Sequence, residues 1–423
     1  MNKEKRIAMI VMNPCVHDSR VIKEAESLAG AGYCIRVVCL MHEGVPQQEF
    51  INGVEYYRVY YRIPFNLKYK KIKFNAADNT QKTTSLFRKI YLKLMGILYY
   101  FAKKLIPFIK YHLTYFSVKN AILSFSPDSI HAHDLVTLPT AVTIGKKLNI
   151  PVVYDAHELE EHRMPVQNFI IRSLVVYLER KYIPYTSGTI TVSNSIAQYL
   201  ANKYKINEPI VVYNSPDIYP DDKPITDVKT ELNLPHDIPL IVYVGRAQAS
   251  RGVEELLQAM QYLPNYHLVF VGPKVDRFHS KFIQIVEDLK VSDRISFLPP
   301  VSIRHVVPYI STADLGVYFL QNTCLNHYYA MPNKIFEMVL AGLPVVGPDL
   351  FDIKQFLDKT KTGIIVDQTK PELIAEAISE AFAKKDILKP SPEALGRLIE
   401  QYGWGAQAKK ILQLYVKIYA VNK

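Results

Sequence analysis

Cysteine is scarce in this chain, and long apolar runs are missing. Four cysteines in 423 residues (Cys15, Cys34, Cys39 and Cys324) form neither a CxxC pair nor a Cys/His cluster of zinc spacing. That excludes a disulfide scaffold and a zinc-finger module, and it fits reduced thiols in a cytosolic compartment. No stretch approaches the roughly 20 uncharged apolar residues of a membrane-spanning helix. The apolar run Ile7–Met12 is cut at once by Asn13-Pro14, so it reads as a first strand and not as a secretory signal. No Asp-x-Asp string and no short internal repeat occurs. The loop Asn13–Arg20 (NPCVHDSR) contains no glycine, so its backbone approaches a phosphate less freely than a glycine loop would.

What is present argues for a folded protein of two or three domains: 49% of the residues are hydrophobic, with regular patterning. The net charge of +11 is concentrated. Between Asn66 and Asn120 stand twelve Lys or Arg, one acid (Asp78) and eleven Tyr or Phe, so this insert carries +11 and the rest sums to neutral. Leu86–Leu105 has helical periodicity. Leu86, Ile90, Leu94, Ile97, Leu98, Phe101 and Leu105 share one face, and Lys89, Lys93, Lys103 and Lys104 share the other. Such a helix suits an anionic membrane surface, where each lysine adds about 1 kcal/mol. A helix packed on its own domain with a solvated basic face is the plainer reading. Nucleic-acid binding is a third, but no nucleic-acid fold signature accompanies the charge and no such partner is expected.

Arg6–Met12, Ser19–Ala29 and Cys34–Leu40 read as strand, helix and strand, a βαβ unit with a parallel sheet. Ser129–His131, Val152–Asp155, Thr189–Val192 and Ile210–Tyr213 read as further strands, with a helix near Leu138–Leu148. Asn214–Pro239, rich in Pro and Asp, reads as a connection. A second series then begins. Its strands are expected at Leu240–Val244, His267–Val271, Ile295–Phe297, Leu315–Tyr318 and Pro344–Val346. Its helices are expected at Val253–Met260, Phe278–Leu289 and Lys334–Ala341, and a last helix at Trp404–Tyr419. Two doubly wound halves present ligand groups at the carboxyl ends of their strands.

The densest signal is Pro332–Val346, PNKIFEMVLAGLPVV. Pro332 suits a helix start, Gly342 a helix end, and Pro344 a stop. Glu337 is the one acid in an otherwise apolar helix, and burying a carboxylate costs free energy unless it accepts hydrogen bonds. Vicinal ribose hydroxyls would satisfy it; so would neighbouring backbone. Upstream, Gly245-Arg246 and Arg251-Gly252 bracket a turn, and paired guanidiniums suit a diphosphate. Tyr154-Asp155-Ala156-His157-Glu158 follows a strand, as does His131-Ala132-His133-Asp134. HxH on a strand can bind zinc, but the further ligand spacing is missing.

Together these strings resemble the retaining GT-B glycosyltransferases of family 4, in a branch with a PNKxFE donor motif. The resemblance covers nearly the whole chain and implies an α/β fold of two facing Rossmann-like domains with a cleft between them. It implies an acceptor-side domain over residues 1–214 (with 66–120 as the basic insert), a nucleotide-sugar domain over 215–395, and a closing helix in 396–423 that returns to the first domain. In that family the glutamate at Glu337 holds the nucleotide ribose, and Gly245, Arg246, Arg251, Asn333 and Lys334 surround the donor diphosphate. His157, Arg246 and Arg251 take the catalytic roles. His17, Asp18, His133 and Asp134 line the acceptor side, Asp18-Ser19-Arg20-Val21 matching a string found in part of the family. The family usually has lysine where Arg251 stands. Its motif also pairs the ribose glutamate with a second one eight residues earlier, where this chain has Tyr329.

The implied activity is metal-independent, cofactor-free transfer of a hexose from a UDP- or GDP-linked sugar onto a glycan or polyprenyl-linked glycan, as in surface polysaccharide synthesis. The expected place is the cytoplasmic membrane face. A weakened, membrane-associated sugar-nucleotide-binding scaffold is the alternative that Tyr329 leaves open, and a nucleotide-sugar epimerase of the same fold is a lesser one.

Overall fold

A computed structural model of the chain describes residues 4–60, 114–163, 168–218, 226–273 and 276–421. The basic helix expected at Leu86–Leu105, with Lys89, Lys93, Lys103 and Lys104, lies outside the described residues. The chain divides into two compact units, Met1–Val152 and Val153–Lys423.

In the first unit, β1 (Arg6–Ile10), β2 (Cys34–Leu40), β3 (Gln48–Ile51), β4 (Val54–Val59) and β5 (Ser129–His133) stand in the order β3-β4-β2-β1-β5. All neighbours are parallel except β3 and β4. Ile7–Ile10 are wholly buried, as parallel strands covered on both faces require, which is why β1 reads as an unbroken apolar run. The β3–β4 hairpin is absent from the sequence reading. Ile51 pairs with Val54 across Asn52-Gly53, whose φ angles are +50° and +79°. Positive φ at both positions is the signature of the tight hairpin turn that Asn-Gly favours.

The second unit opens with β6 (Val152–Ala156), β7 (Gly188–Thr191) and β8 (Ile210–Val211), which are parallel. A six-stranded parallel sheet follows, built from β9 (Leu240–Val244), β10 (His267–Val271), β11 (Ile295–Leu298), β12 (Leu315–Val317), β13 (Val345–Pro348) and β14 (Gly363–Val366). Its order is β11-β10-β9-β12-β13-β14. Counted from β9 this is 3-2-1-4-5-6, the dinucleotide-fold order, which opens a crevice between the carboxyl ends of β9 and β12. The core joins Ile241, Val242, Phe270 and Val346 of the strands to Leu256, Ile335 and Ile378 of the covering helices.

Most expected strands stand within a residue or two of their place, and β14 with the helices Phe169–Tyr182 and Asn194–Tyr204 are additional. Part of the stretch read as a connection is packed: Val228–Glu231 is a helical turn and Val228 is fully buried. The closing helix Trp404–Val421 is tied to the β7–β8 region. Lys410 Nζ donates to Val211 O at 2.8 Å, Trp404 N to Pro216 O at 3.0 Å, and Tyr213 N to Gln407 Oε1 at 3.2 Å. Among the described residues no helix is long and apolar enough to cross a membrane.

Candidate functional site

The crevice position between β9 and β12 is filled by the residues that the sequence singled out. β9 is followed by Gly245, whose φ of +105° only glycine adopts readily. A Cβ there would lie 2.7 Å from Lys334 Cε and 3.9 Å from Arg251 Nη1. The close approach therefore needs glycine, and it brings the β9 loop against the start of the helix Asn333–Leu340. Gly252 plays a similar part: a Cβ would meet Phe319 O, just beyond β12, at 2.4 Å. Arg251 Nη1 donates to Arg246 O at 3.4 Å, and Tyr243 Oη donates to the same carbonyl at 3.3 Å. The Arg246 side chain itself is exposed and Arg251 is half-buried.

The helix Asn333–Leu340 buries Ile335, Phe336, Met338, Val339 and Leu340 and closes at Gly342, φ +76°. Pro332 precedes it without offering a side-chain cap, so its first N–H groups remain available to an acceptor. Lys334 Nζ donates to Asn333 Oδ1 at 2.9 Å. Burial pushes the Lys334 ammonium below its ordinary pKa; Glu337 opposes that shift and Arg251 adds to it. Glu337 is buried, and its Oε1 accepts from Asn333 Nδ2 at 2.8 Å. Its Oε2 is buried and accepts nothing. Half of this carboxylate thus lacks a partner, where native buried polar atoms are nearly always satisfied. The backbone acceptance that would have made Glu337 a purely structural residue is not there.

The histidine loop after β6 belongs to the same unit. His157 Nε2 lies 3.0 Å from Asp155 Oδ2, a contact that fixes the imidazole. Asn326, which sequence reasoning missed, ties this loop to the turn before the donor helix. Its Oδ1 accepts from Leu159 N at 2.7 Å and its Nδ2 approaches Glu158 Oε2 at 3.5 Å. Nothing local in LNHYYAMPNK marks Asn326, because its partner is 167 residues away. Tyr329, where the motif's first glutamate would stand, packs edge-on to Phe351 at 6.2 Å and beside Tyr328 at 5.5 Å.

In the first unit an open cavity of about 660 Å³ is lined by the Asn13–Ser19 loop with His42, Glu43 and Val45. His17 is exposed on it. Asp18 caps the helix Ser19–Gly30: Oδ1 accepts from Val21 N at 3.3 Å and Oδ2 from Asn13 Nδ2 at 2.8 Å. The loop thus has an ordered, glycine-free conformation. His133 is fully buried, and Asp134 follows it with φ +62° at the start of the helix Asp134–Leu148. His133 stacks on His131 (centroids 4.4 Å, planes 14° apart), and Glu24 brings a carboxylate to the pair, 3.7 Å from His131 Nε2. The third group that an HxH metal site requires is therefore close in space although remote in sequence. Arg20 Nε pairs with Glu24 at 3.1 Å, so this carboxylate already has a cation beside it. This set reads as an internal charge network.

Comparisons with known proteins agree with this fold. Residues 238–384 match the family model for group 1 glycosyl transferases, and residues 85–218 match that for glycosyltransferase family 4. Each of the two matches covers less than half of the chain, one mostly in its first half and one in its second. Among curated relatives, a D-inositol 3-phosphate glycosyltransferase of Xylanimonas cellulosilytica is 26% identical over 205 residues, and the match spans 45% of each chain. Among solved structures, sucrose-phosphate synthase from Thermosynechococcus elongatus superposes with a TM-score of 0.76 at 18% identity, covering 99% of this chain and 100% of that one. Anabaena HepE, solved with UDP-glucose, gives 0.68 at 13% identity over 97% and 99%. The chain therefore has the GT-B fold.

Proposed function

We propose that this protein is a family 4 glycosyltransferase that transfers a hexose from a nucleoside diphosphate sugar to a hydroxyl of a glycan or lipid-linked glycan, with retention and without a metal. The observation that carries the reading is Glu337 Oε2, a buried carboxylate oxygen with no partner, on a helix whose start holds a desolvated lysine. A ribose diol donates two hydrogen bonds to such a carboxylate. The diphosphate then lies against Lys334, Arg251, Arg246 and the uncapped N-terminus of the helix, groups that favour anions. The UDP-glucose complex of the HepE neighbour supports this class of donor.

In the reaction the bond from the anomeric carbon to the diphosphate oxygen breaks and the acceptor oxygen takes its place. The acceptor's proton leaves with the diphosphate. The three cations stabilise the charge gathering on the leaving group. His157, held by Asp155, positions the sugar. Without a carboxylate at Tyr329, sugar hydroxyls must be read by other groups, and an aromatic surface at Tyr328, Tyr329 and Phe351 is what this chain offers there. The cavity beside His17 is the proposed acceptor site. The basic insert is the proposed membrane contact, and neutralising Lys89, Lys93, Lys103 and Lys104 should release the protein from anionic vesicles.

A thermal-shift panel of UDP- and GDP-sugars tests the reading, since a ligand that binds only the folded state raises Tm by mass action. The expected result is a rise with one base series that Glu337→Ala abolishes. An unaltered Tm across the panel, or a rise that survives in the variant, would refute it.

A further inference from the structure

Remote in composition from the donor site, the second unit carries a cavity of about 410 Å³ whose charged lining has one sign only. Lys359, Lys361, Lys389 and Arg397 line it, and no acidic residue does. Among the described residues none of the four forms an ion pair. The acid whose field reaches Arg397, Glu393, accepts from Ser391 Oγ at 2.9 Å instead. The remaining lining is rich in hydroxyls. Thr360 and Thr362 share a hydrogen bond at 2.8 Å, and Ser391 caps the helix Pro392–Tyr402 by accepting from Ala394 N at 3.2 Å.

Two of these cations have a local reason to be there. Lys359 and Lys361 close the helix Phe351–Thr360, where positive charge offsets the exposed carbonyls. Lys389 closes the short helix Lys385–Leu388 and stands just before Ser391, the N-cap of the 11-residue helix Pro392–Tyr402, so it lies between a helix end and a helix start. Tyr402 gives the cavity a fixed wall. It is buried, packing on Phe356 at 5.0 Å and on Phe336 of the donor helix at 6.4 Å. A rigid wall and four cations without ion-pair partners among the described residues suit a compact dianion.

From this lining we infer that the cavity binds a phosphate monoester, either as a free small molecule or as a lipid headgroup. None of Gly245, Arg251, Lys334 or Glu337 lines it, so this inference and the donor reading fail independently.

The test uses the full chain and two triple variants of equal charge. Lys361→Gln/Lys389→Gln/Arg397→Gln removes the lining, and Lys354→Gln/Lys370→Gln/Lys384→Gln removes exposed cations that have acidic partners elsewhere in the unit. Binding of glycerol 3-phosphate is measured by calorimetry against chloride at equal ionic strength. Binding to phosphatidylcholine vesicles is measured with and without phosphatidic acid. The wild type should bind at least one monoester, the lining variant about tenfold more weakly or worse, and the control within twofold of wild type. Arg397→Gln alone should weaken it about threefold. Saturation by glycerol 3-phosphate identifies a free ligand, and binding confined to vesicles identifies a headgroup. No preference over chloride and over plain phosphatidylcholine would overturn the inference, and so would equal losses in the two triple variants.

Discussion

Two buried carboxylates, one in each unit, have opposite surroundings. Glu24 is fully buried beside Arg20 at 3.1 Å and His131 at 3.7 Å. Glu337 is nearly as buried, yet only one of its oxygens is met, by Asn333, and the other faces no donor. The first carboxylate has its charge met by a guanidinium of its own unit. The second has no ion-pair partner among the described residues and one buried oxygen that accepts nothing, on a helix that also half-buries a lysine. Burial alone therefore does not separate the two acids; the ion pair does.

The comparison breaks first in stability. Glu24→Ala strands the Arg20 guanidinium in the interior and should destabilise by about 3–5 kcal/mol, seen as a lower denaturant midpoint. A midpoint equal to wild type would show that Glu24 is not structural. Glu337→Ala should do the reverse: an unchanged or higher Tm without ligand, and nucleotide affinity lower by about 1.5–3 kcal/mol, with turnover falling too. A strong loss of apo stability would put Glu337 in the same class as Glu24.

A third buried acid sharpens the contrast through pH. Burial raises Glu179 from 4.5 to about 8, against a hydrogen bond from Tyr204 Oη at 2.6 Å. Its folded pKa lies above the unfolded one, so its contribution is full below about pH 4.5 and is lost as pH rises toward 8. Glu179→Gln should remove that slope and leave the variant about 2 kcal/mol more stable at pH 8. Parallel stability curves between pH 5 and 8 would contradict this. The smallest effect belongs to Asp18, a helix cap whose oxygens are both engaged: Asp18→Ala should cost about 1 kcal/mol. A loss of acceptor turnover without loss of Tm would move Asp18 from the cap to the substrate.

Much of this was legible in advance because the signals are local. Leu240–Val244 and His267–Val271 are apolar runs that could only be buried parallel strands, and they stand as read. Pro332 and Gly342 bound the donor helix through backbone chemistry that each residue carries by itself. The Asn52-Gly53 hairpin is equally local but hard to see along the chain, since Glu55 and Arg58 interrupt the apolar alternation of β4 and are buried all the same. Asn326, the Arg20–Glu24–His131 network and the cationic cavity at Lys389 could not be read along the chain. Each joins residues far apart in sequence, and spacing carries no information about such pairs.

By itself the sequence determined the order of strands and helices, the caps, and which loops end in Gly-Arg, His-Glu or Pro-Asn-Lys, because these follow from periodicity and from the conformational limits of single residues. The tertiary structure decided what Glu337 is. Whether a buried carboxylate is closed or open depends on the donors that the fold brings to within 3 Å, and for Glu337 the fold supplies one to Oε1 and none to Oε2.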